Sequence, residues 1–244
     1  QEEVRGLMEN NTNLSRAPRG FEELMTRREA IAAAIYLPVH AVLLPLLLTY
    51  LAVLGVISPG VTMNVAWYII GVGFTLILLG KYLRRSFDAL LDRPGQSLLA
   101  LVSGLATDYL LSWAFALVLL LFGMTAGSAA NNDAVAELAS EGANRMFAVA
   151  VLLAPMVEEP LFRGLLFGTV RRRGRLAAYA VSVLLFCFYH VWQYVLLDWR
   201  YLLQMINYIP VSVALCYSYE KSGTIWVPIA FHMLVNAISM SALV

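Results

Sequence analysis

The sequence predicts an all-α protein, a polytopic transmembrane bundle of about seven to eight helices. Of its 244 residues, 60% are hydrophobic and only 14% are charged, whereas soluble domains average about 45–50% apolar and about 25% charged residues. The apolar residues form long runs separated by short polar segments. Each run approaches the ~20 residues that a helix needs to cross a bilayer, and a helix satisfies its own backbone hydrogen bonds there.

The elements follow from these runs in chain order. Residues 1–30 are polar and charged, and we expect a cytoplasmic N-terminal tail or an interfacial helix there. The predicted spans are residues 31–54, 64–80, 98–122, 147–170, 176–197, 201–219 and 224–244. Because Asp108 lies inside the third span, an alternative places a separate interfacial helix over residues 96–104.

Loop charges predict the orientation of the bundle. Basic residues cluster before the first span, after the second and after the fourth, while the other loops are neutral or acidic. The clusters are Arg16, Arg19, Arg27 and Arg28, then Lys81, Arg84 and Arg85, then Arg171, Arg172, Arg173 and Arg175. Because Lys and Arg accumulate in cytoplasmic loops, the pattern predicts a cytoplasmic N-terminus.

Net charge and cysteine content exclude further classes. A net charge of +1 provides no field that would recruit nucleic acid, so no nucleic-acid partner is expected. The apolar composition instead predicts that membrane lipids surround the chain. Cys187 and Cys216 both lie in apolar runs. Two isolated cysteines predict neither a disulfide framework nor a zinc cluster.

The fourth span carries ionisable residues where a bilayer has hydrocarbon. Glu158, Glu159 and Arg163 lie there, and such residues are costly enough to indicate a functional site. Glu159 and Arg163 are four residues apart and are predicted to form an ion pair on one helix face. Glu158 is rotated by about 100° from Glu159 and is predicted to be free for chemistry. Pro155 and Pro160 are expected to distort this helix around the carboxylates.

Three more polar side chains are predicted to reach the depth of Glu158. His190 lies in the fifth predicted span, and His232 and Asn236 lie four residues apart in the last one. A carboxylate with an imidazole can activate a water as general base, and a second imidazole with a carboxamide can donate to an oxyanion. By contrast, a lone membrane histidine usually joins helices; His40 is interpreted in that way, with Asp108 as its expected partner.

Taken together, these motifs resemble a known family. Glu158-Glu159-x-x-x-Arg163, Phe186-x-x-x-His190 and His232-x-x-x-Asn236 occur in this order on successive helices. They resemble the type II CAAX prenyl endopeptidases, also termed the CPBP or abortive-infection-like family of intramembrane glutamic proteases. The resemblance covers about residues 98–244.

The resemblance implies a fold and an activity. It implies about eight transmembrane helices, a protease domain over residues 31–244, and a cavity open to the cytoplasmic side of a bacterial cell membrane. Glu158 and His190 would activate water, His232 and Asn236 would form the oxyanion hole, and Glu159 and Arg163 would support them. No cofactor is implied. The expected substrate is a peptide or a lipid-modified protein, either of CAAX type or a small peptide.

Three alternatives stay open at this point. Glu158, His190 and His232 are residue types that bind zinc, although no His-Glu-x-x-His motif is present. An ion-coupled transporter would use Glu158, Glu159 and Asp108 as proton or ion relays. Inverted repeats in the sequence would favour this alternative, and none is found. A non-catalytic membrane adaptor would be expected to have a damaged motif. The sequence specifies neither the natural substrate nor the oligomeric state.

Overall fold

The computed structural model describes residues 21–22, 24–123 and 129–243. In these residues it contains eight helices and no strand, so the all-α prediction is confirmed. The helices are α1 Arg27–Val53, α2 Val61–Asp92, α3 Pro94–Leu121, α4 residues 130–171, α5 Arg175–Tyr189, α6 Trp192–Val195, α7 Ile209–Ser222 and α8 Trp226–Leu243. Helices α1, α2 and α3 are long and apolar enough to cross a membrane. The chain is an integral membrane protein, and most of the predicted N-terminal tail lies outside the described residues.

Helices α1 to α3 begin or end at other residues than the apolar runs suggested. Helix α1 starts with a capping box, in which Thr26 accepts from the backbone N–H of Glu29 and the Glu29 carboxylate accepts from that of Thr26. Helix α2 continues past the predicted end at residue 80 because charged residues sustain a helix outside the hydrocarbon. Helix α3 is continuous from Pro94, so the alternative of a separate helix over residues 96–104 is wrong.

Helix α4 is long and irregular. Its backbone departs from helical angles at Gly142, and π-helical segments Ala148–Leu153 and Pro160–Phe167 flank the α-helical turn Ala154–Glu159. The predicted distortion around the carboxylates is therefore confirmed. Proline removes a backbone donor, and wider π-helical turns are a common accommodation of such a defect that often occurs at functional sites.

The fifth and sixth predicted spans are wrong in their bounds. Helix α5 ends at Tyr189 rather than at residue 197, and His190 is its C-cap. The chain then forms the short helix α6 and a 3₁₀ segment, Trp199–Tyr208, before α7 begins. Pro210 lies in the first turn of α7, where its missing N–H costs nothing, and this favours a helix start there. The predicted bounds were wrong because the residues after Tyr189 remain largely apolar although the helix ends there.

Polar contacts tie the helices together at one end of the bundle. Arg85 on α2 pairs with Glu29 on α1, and Ser86 on α2 accepts from the backbone N–H of Ile225 at 2.7 Å. Arg171 on α4 donates to Glu220 on α7 at 2.9 Å. This end is termed the arginine-rich end, and it carries Arg84, Arg85, Arg171, Arg172, Arg173 and Arg175.

The opposite end is termed the far end. There Glu141 on α4 accepts from the backbone N–H of Val61, where α2 begins. Gln204 in the 3₁₀ segment accepts from the backbone N–H of Ala130, where α4 begins. The far end therefore contains the start of α2, the start of α4 and the connection between α5 and α7.

Close contact between α2 and α4 positions the centre of the bundle. At Gly71 on α2, an added Cβ would lie 2.9 Å from Cγ2 of Val157 and 3.2 Å from Cε1 of His40. Val157 is fully buried and precedes Glu158. Only a residue without a side chain allows α2 to approach α4 this closely.

This contact predicts different outcomes at two glycines of one helix. Gly71→Ala should lower stability, because overpacking costs about 1–3 kcal/mol, more than the about 0.5–1 kcal/mol gained when alanine replaces a helical glycine. At Gly73 an added Cβ meets nothing within 4 Å, so Gly73→Ala should be neutral or slightly stabilising. Thermal unfolding in detergent measures both; equal melting temperatures for the two variants would contradict the packing argument.

Candidate active site

A buried ion pair lies at the centre of α4. Glu159 and Arg163 are both fully buried, and Nη1 of Arg163 donates to Oε1 of Glu159 at 3.0 Å. The predicted pair is therefore confirmed. Nη2 of Arg163 donates to Oγ of Ser212 at 3.0 Å and to its carbonyl oxygen at 3.3 Å. Its Cζ lies 4.1 Å from the ring centroid of Phe186. Arg163 thus connects α4 to both α7 and α5.

Glu159 also contacts His232, which the sequence did not predict. Nδ1 of His232 lies 2.7 Å from Oε1 of Glu159, the same oxygen that receives Arg163. A carboxylate accepts, so Nδ1 of His232 is the donor and the ring is held in one orientation. Nε2 is the ring nitrogen left for chemistry. Oε1 of Glu159 therefore contacts both Arg163 and His232.

Glu158 faces a different set of partners. Its Oε1 accepts from the hydroxyl of Tyr68 on α2 at 2.9 Å, and its Oε2 has no hydrogen-bond partner among the described residues. Glu158 is only 3% exposed. A buried carboxylate oxygen without a partner is costly, and such an atom needs an explanation in function or in bound water.

Behind Glu158, aromatic hydroxyls continue the network to α1. The Tyr68 hydroxyl lies 3.2 Å from that of Tyr189, which lies 3.3 Å from Nε2 of His40. The predicted pair between His40 and Asp108 is wrong, since the hydrogen bond described for Asp108 comes from Ser112 at 3.5 Å. Two residues at the same depth on different helices can still point in different directions around their helix axes.

His190 and Asn236 are each fixed by a backbone carbonyl. Nδ1 of His190 lies 2.9 Å from the carbonyl oxygen of Phe186. A carbonyl only accepts, so Nδ1 carries the proton and Nε2 offers a lone pair in the neutral ring. The ring stacks on Tyr208 with centroids 4.7 Å apart. Nδ2 of Asn236 donates to the carbonyl oxygen of Ala150 at 2.7 Å, which leaves its second amide proton free.

One cavity brings the four predicted catalytic residues together. It has a volume of about 640 Å³, and Glu158, His190, His232 and Asn236 all line it. This volume lies within the ~300–1,000 Å³ that is usual for ligand sites. Glu159 and Arg163 do not line it and lie behind the wall. Glu158 has no direct hydrogen bond to either histidine in the described part of the chain, so these groups meet across the cavity.

The arrangement of side chains does not favour a metal site. Within residues 21–22, 24–123 and 129–243, no group of three His, Cys, Asp or Glu side chains is placed to hold a metal ion. The zinc alternative therefore finds no support in these positions.

Tyr68 is the residue at the site that the sequence did not indicate. It lies near the start of α2, beside Trp67, where a tyrosine is ordinarily interpreted as a membrane-interface anchor. No spacing relates it to Glu158, which is 90 residues away in the chain.

Comparison with known proteins gives one family. Residues 141–238 match the family described as Type II CAAX prenyl endopeptidase Rce1-like. All six predicted site residues lie in the matched segment: Glu158, Glu159, Arg163, His190, His232 and Asn236. No curated protein and no solved structure matched the chain.

The buried ion pair predicts a large loss of stability when one partner is removed. Arg163→Met should cost about 3–5 kcal/mol, because it leaves the Glu159 carboxylate buried without its counter-charge. The matched control is Arg200→Met, whose pair with Asp198 is exposed and should contribute nothing measurable. Thermal unfolding in detergent compares the two. The double variant Glu159→Gln/Arg163→Met should recover part of the loss; a double variant less stable than Arg163→Met would contradict the argument.

Proposed function

Because residues 141–238 match the type II CAAX prenyl endopeptidase Rce1-like family, we propose that the chain is an intramembrane endopeptidase of this family. It hydrolyses a peptide bond with a water molecule activated by Glu158 and His190. The observation that carries the proposal is the unpartnered Oε2 of Glu158, which belongs to a buried carboxylate lining the same cavity as His190.

Two acceptors are available to the attacking water. Oε2 of Glu158 and Nε2 of His190 both present lone pairs, given the hydrogen bonds that occupy Oε1 of Glu158 and Nδ1 of His190. A water between them would donate one proton to each, and its oxygen would attack the carbonyl carbon of the substrate. One of the two groups would take the proton and later deliver it to the leaving amine.

Two donors would stabilise the oxyanion that forms in the attack. Asn236 has one amide proton left after its bond to Ala150. His232 donates from Nε2 only as the imidazolium, because its Nδ1 already faces Glu159. The Glu159 carboxylate would supply the counter-charge for that form. Donors fixed before the reaction need no reorganisation during it, and each is worth a large factor in rate.

Glu159 and Arg163 would act as positioning residues. Arg163 holds the carboxylate of Glu159, and the carboxylate holds the His232 ring. This division of labour also weakens the transporter alternative. A relay carboxylate has to exchange its proton, whereas Glu159 is engaged by two donors in the described structure.

The proposed substrate is a peptide or a lipid-modified protein, as the family description suggests. The cavity wall offers apolar side chains beside the reacting groups, among them Leu48, Val149, Val211 and Val235. Such a wall suits an apolar or lipid-bearing segment, and the membrane would supply it. A cytoplasmic N-terminus and a bacterial cell membrane belong to the same proposal.

Removal of the Glu158 charge tests the mechanism. Glu158→Gln keeps the shape of the side chain and should lower peptide hydrolysis by at least about 10²-fold, the scale of one general base. Glu137→Gln is the matched control, since Glu137 is exposed and does not line the cavity. Mass spectrometry of a peptide library incubated with the purified proteins measures cleavage. Undiminished cleavage by a folded Glu158→Gln protein would end the proposal.

Tyr68→Phe tests whether Tyr68 positions Glu158. The change deletes the 2.9 Å hydrogen bond and leaves the ring. We expect kcat to fall by about 10-fold or more while KM changes little, and the melting temperature should fall as well, since hydrogen bonds to charged groups contribute about 1.5–3 kcal/mol to stability. Tyr109→Phe, at an exposed tyrosine, should leave both constants unchanged. A change confined to KM or to the melting temperature would assign Tyr68 to binding or to folding instead.

A further inference from the structure

A series of hydrogen bonds connects helix α1 to Glu158. The hydroxyl of Tyr36 lies 3.4 Å from Nδ1 of His40, and Nε2 of His40 lies 3.3 Å from the hydroxyl of Tyr189. The hydroxyls of Tyr189 and Tyr68 are 3.2 Å apart, and Tyr68 donates to Oε1 of Glu158 at 2.9 Å. The set of Tyr36, His40, Tyr189 and Tyr68 is termed the aromatic network. It joins α1, α5 and α2 to the carboxylate on α4.

The ionised form of Glu158, which the proposed mechanism requires, sets the direction of the hydrogen bonds in the aromatic network. A carboxylate only accepts, so Tyr68 gives its one hydroxyl proton to Glu158 and its oxygen must accept from Tyr189. The hydroxyl proton of Tyr189 is thereby used as well. Its oxygen therefore accepts from Nε2 of His40.

His40 is accordingly the neutral tautomer that carries its proton on Nε2. Its side chain is fully buried, and the hydrogen-bond partners described for its ring are two tyrosine hydroxyls. A buried imidazolium without a counter-charge would be costly, so Nδ1 carries no proton and accepts from the hydroxyl of Tyr36. All the donors of the aromatic network then point toward Glu158.

The backbone and the neighbouring rings hold His40 in this orientation. It lies in the π-helical segment Val39–Leu43 of α1, and its carbonyl oxygen accepts from Nε1 of Trp67 at 3.0 Å. The imidazole centroid lies 5.3 Å from the ring of Trp67 and 5.6 Å from that of Tyr68. Gly71 leaves room for it, since an added Cβ would lie 3.2 Å from Cε1 of His40. Such π-helical turns often occur at functional sites.

On these grounds, and resting on the function proposed above, we propose that His40 and Tyr189 are positioning residues that act on Glu158 through Tyr68. Aligned hydrogen bonds polarise one another, so the donors behind Tyr68 strengthen its bond to Oε1 of Glu158. The network thereby stabilises the carboxylate and leaves Oε2 as the oxygen that faces water. Tyr36, His40 and Tyr68 lie outside the residues that match the family, so most of this support comes from the N-terminal helices.

Nitrogen NMR tests the direction of the network without requiring turnover. The sequence contains three histidines, and the hydrogen bonds place the proton on Nε2 in His40 but on Nδ1 in His190 and His232. In protein labelled with ¹⁵N-histidine, the resonances missing from His40→Gln belong to His40. At mildly alkaline pH they should show a protonated Nε2 and a bare Nδ1. A protonated Nδ1 in His40 would overturn the proposal.

Peptide hydrolysis tests whether these residues act through Tyr68. His40→Phe and Tyr189→Phe each remove a link and should each lower kcat by about three- to tenfold, the scale of one neutral hydrogen bond, with little change in KM. His40→Gln, whose amide can still donate, should recover most of the loss. In the Tyr68→Phe background neither change should lower kcat further. Tyr50→Phe, at an exposed position on α1, is the control and should have no effect. A full additional loss in the Tyr68→Phe background would overturn the proposal.

An infrared titration reads the charge of Glu158 directly. The carboxyl C=O band that is missing from Glu158→Gln reports the protonated form, and it should appear at higher pH in Tyr189→Phe than in the wild type, since fewer donors stabilise the carboxylate. The other titratable groups around Glu158 are the same in both proteins: His190, His232 and Asp108, which line the cavity, and Glu159 and Arg163 behind its wall. Identical titrations would overturn the proposal. No cleavage is scored here, so failure of the proposed protease activity would remain distinguishable from failure of this inference.

Discussion

The buried pair of Glu159 and Arg163 is the constraint on which the rest of the structure depends. Transfer of two charges out of water costs several kcal/mol per ion, and mutual attraction offsets this only if the remaining hydrogen-bonding groups are also satisfied. Ser212 on α7 and His232 on α8 satisfy part of this requirement, whereas Oε2 of Glu159 and Nε of Arg163 have no hydrogen-bond partner among the described residues. The two helices must therefore lie against α4, and a folded bundle necessarily holds the His232 ring in a fixed orientation.

The reacting groups lie where the helices are least regular. Glu158 sits in the α-helical turn between two π-helical segments, and His190 is the C-cap of a helix that ends inside the bundle. Backbone irregularity at membrane depth is tolerated only where protein or a wet cavity satisfies the freed groups. Here the Phe186 carbonyl is satisfied by the His190 ring itself. The same hydrogen bond thus satisfies the carbonyl that is freed at the helix end and orients the imidazole.

The sequence predicted what depends on local spacing and missed what depends on long-range packing. The pair of Glu159 and Arg163 follows from four-residue spacing, and the helical class follows from composition. The contact of Tyr68 with Glu158 joins residues 90 apart, and depends on how closely α2 approaches α4 at Gly71. Depth along a helix was predictable and direction around it was not, which explains why His40 met Tyr189 rather than Asp108.

The separation of charge between the two ends connects stability to selectivity. At the arginine-rich end, Glu220 accepts hydrogen bonds from Arg171, Arg175 and Tyr179. The two arginines are therefore paired with Glu220, away from the cavity. Arg163 lies behind the cavity wall, and Glu159 neutralises its charge. Glu158 and Asp108 therefore act on the cavity without compensation from described basic residues. Field lines concentrate in a cleft with walls of low dielectric constant, so the same arrangement that isolates the arginines leaves a negative potential where substrate would bind.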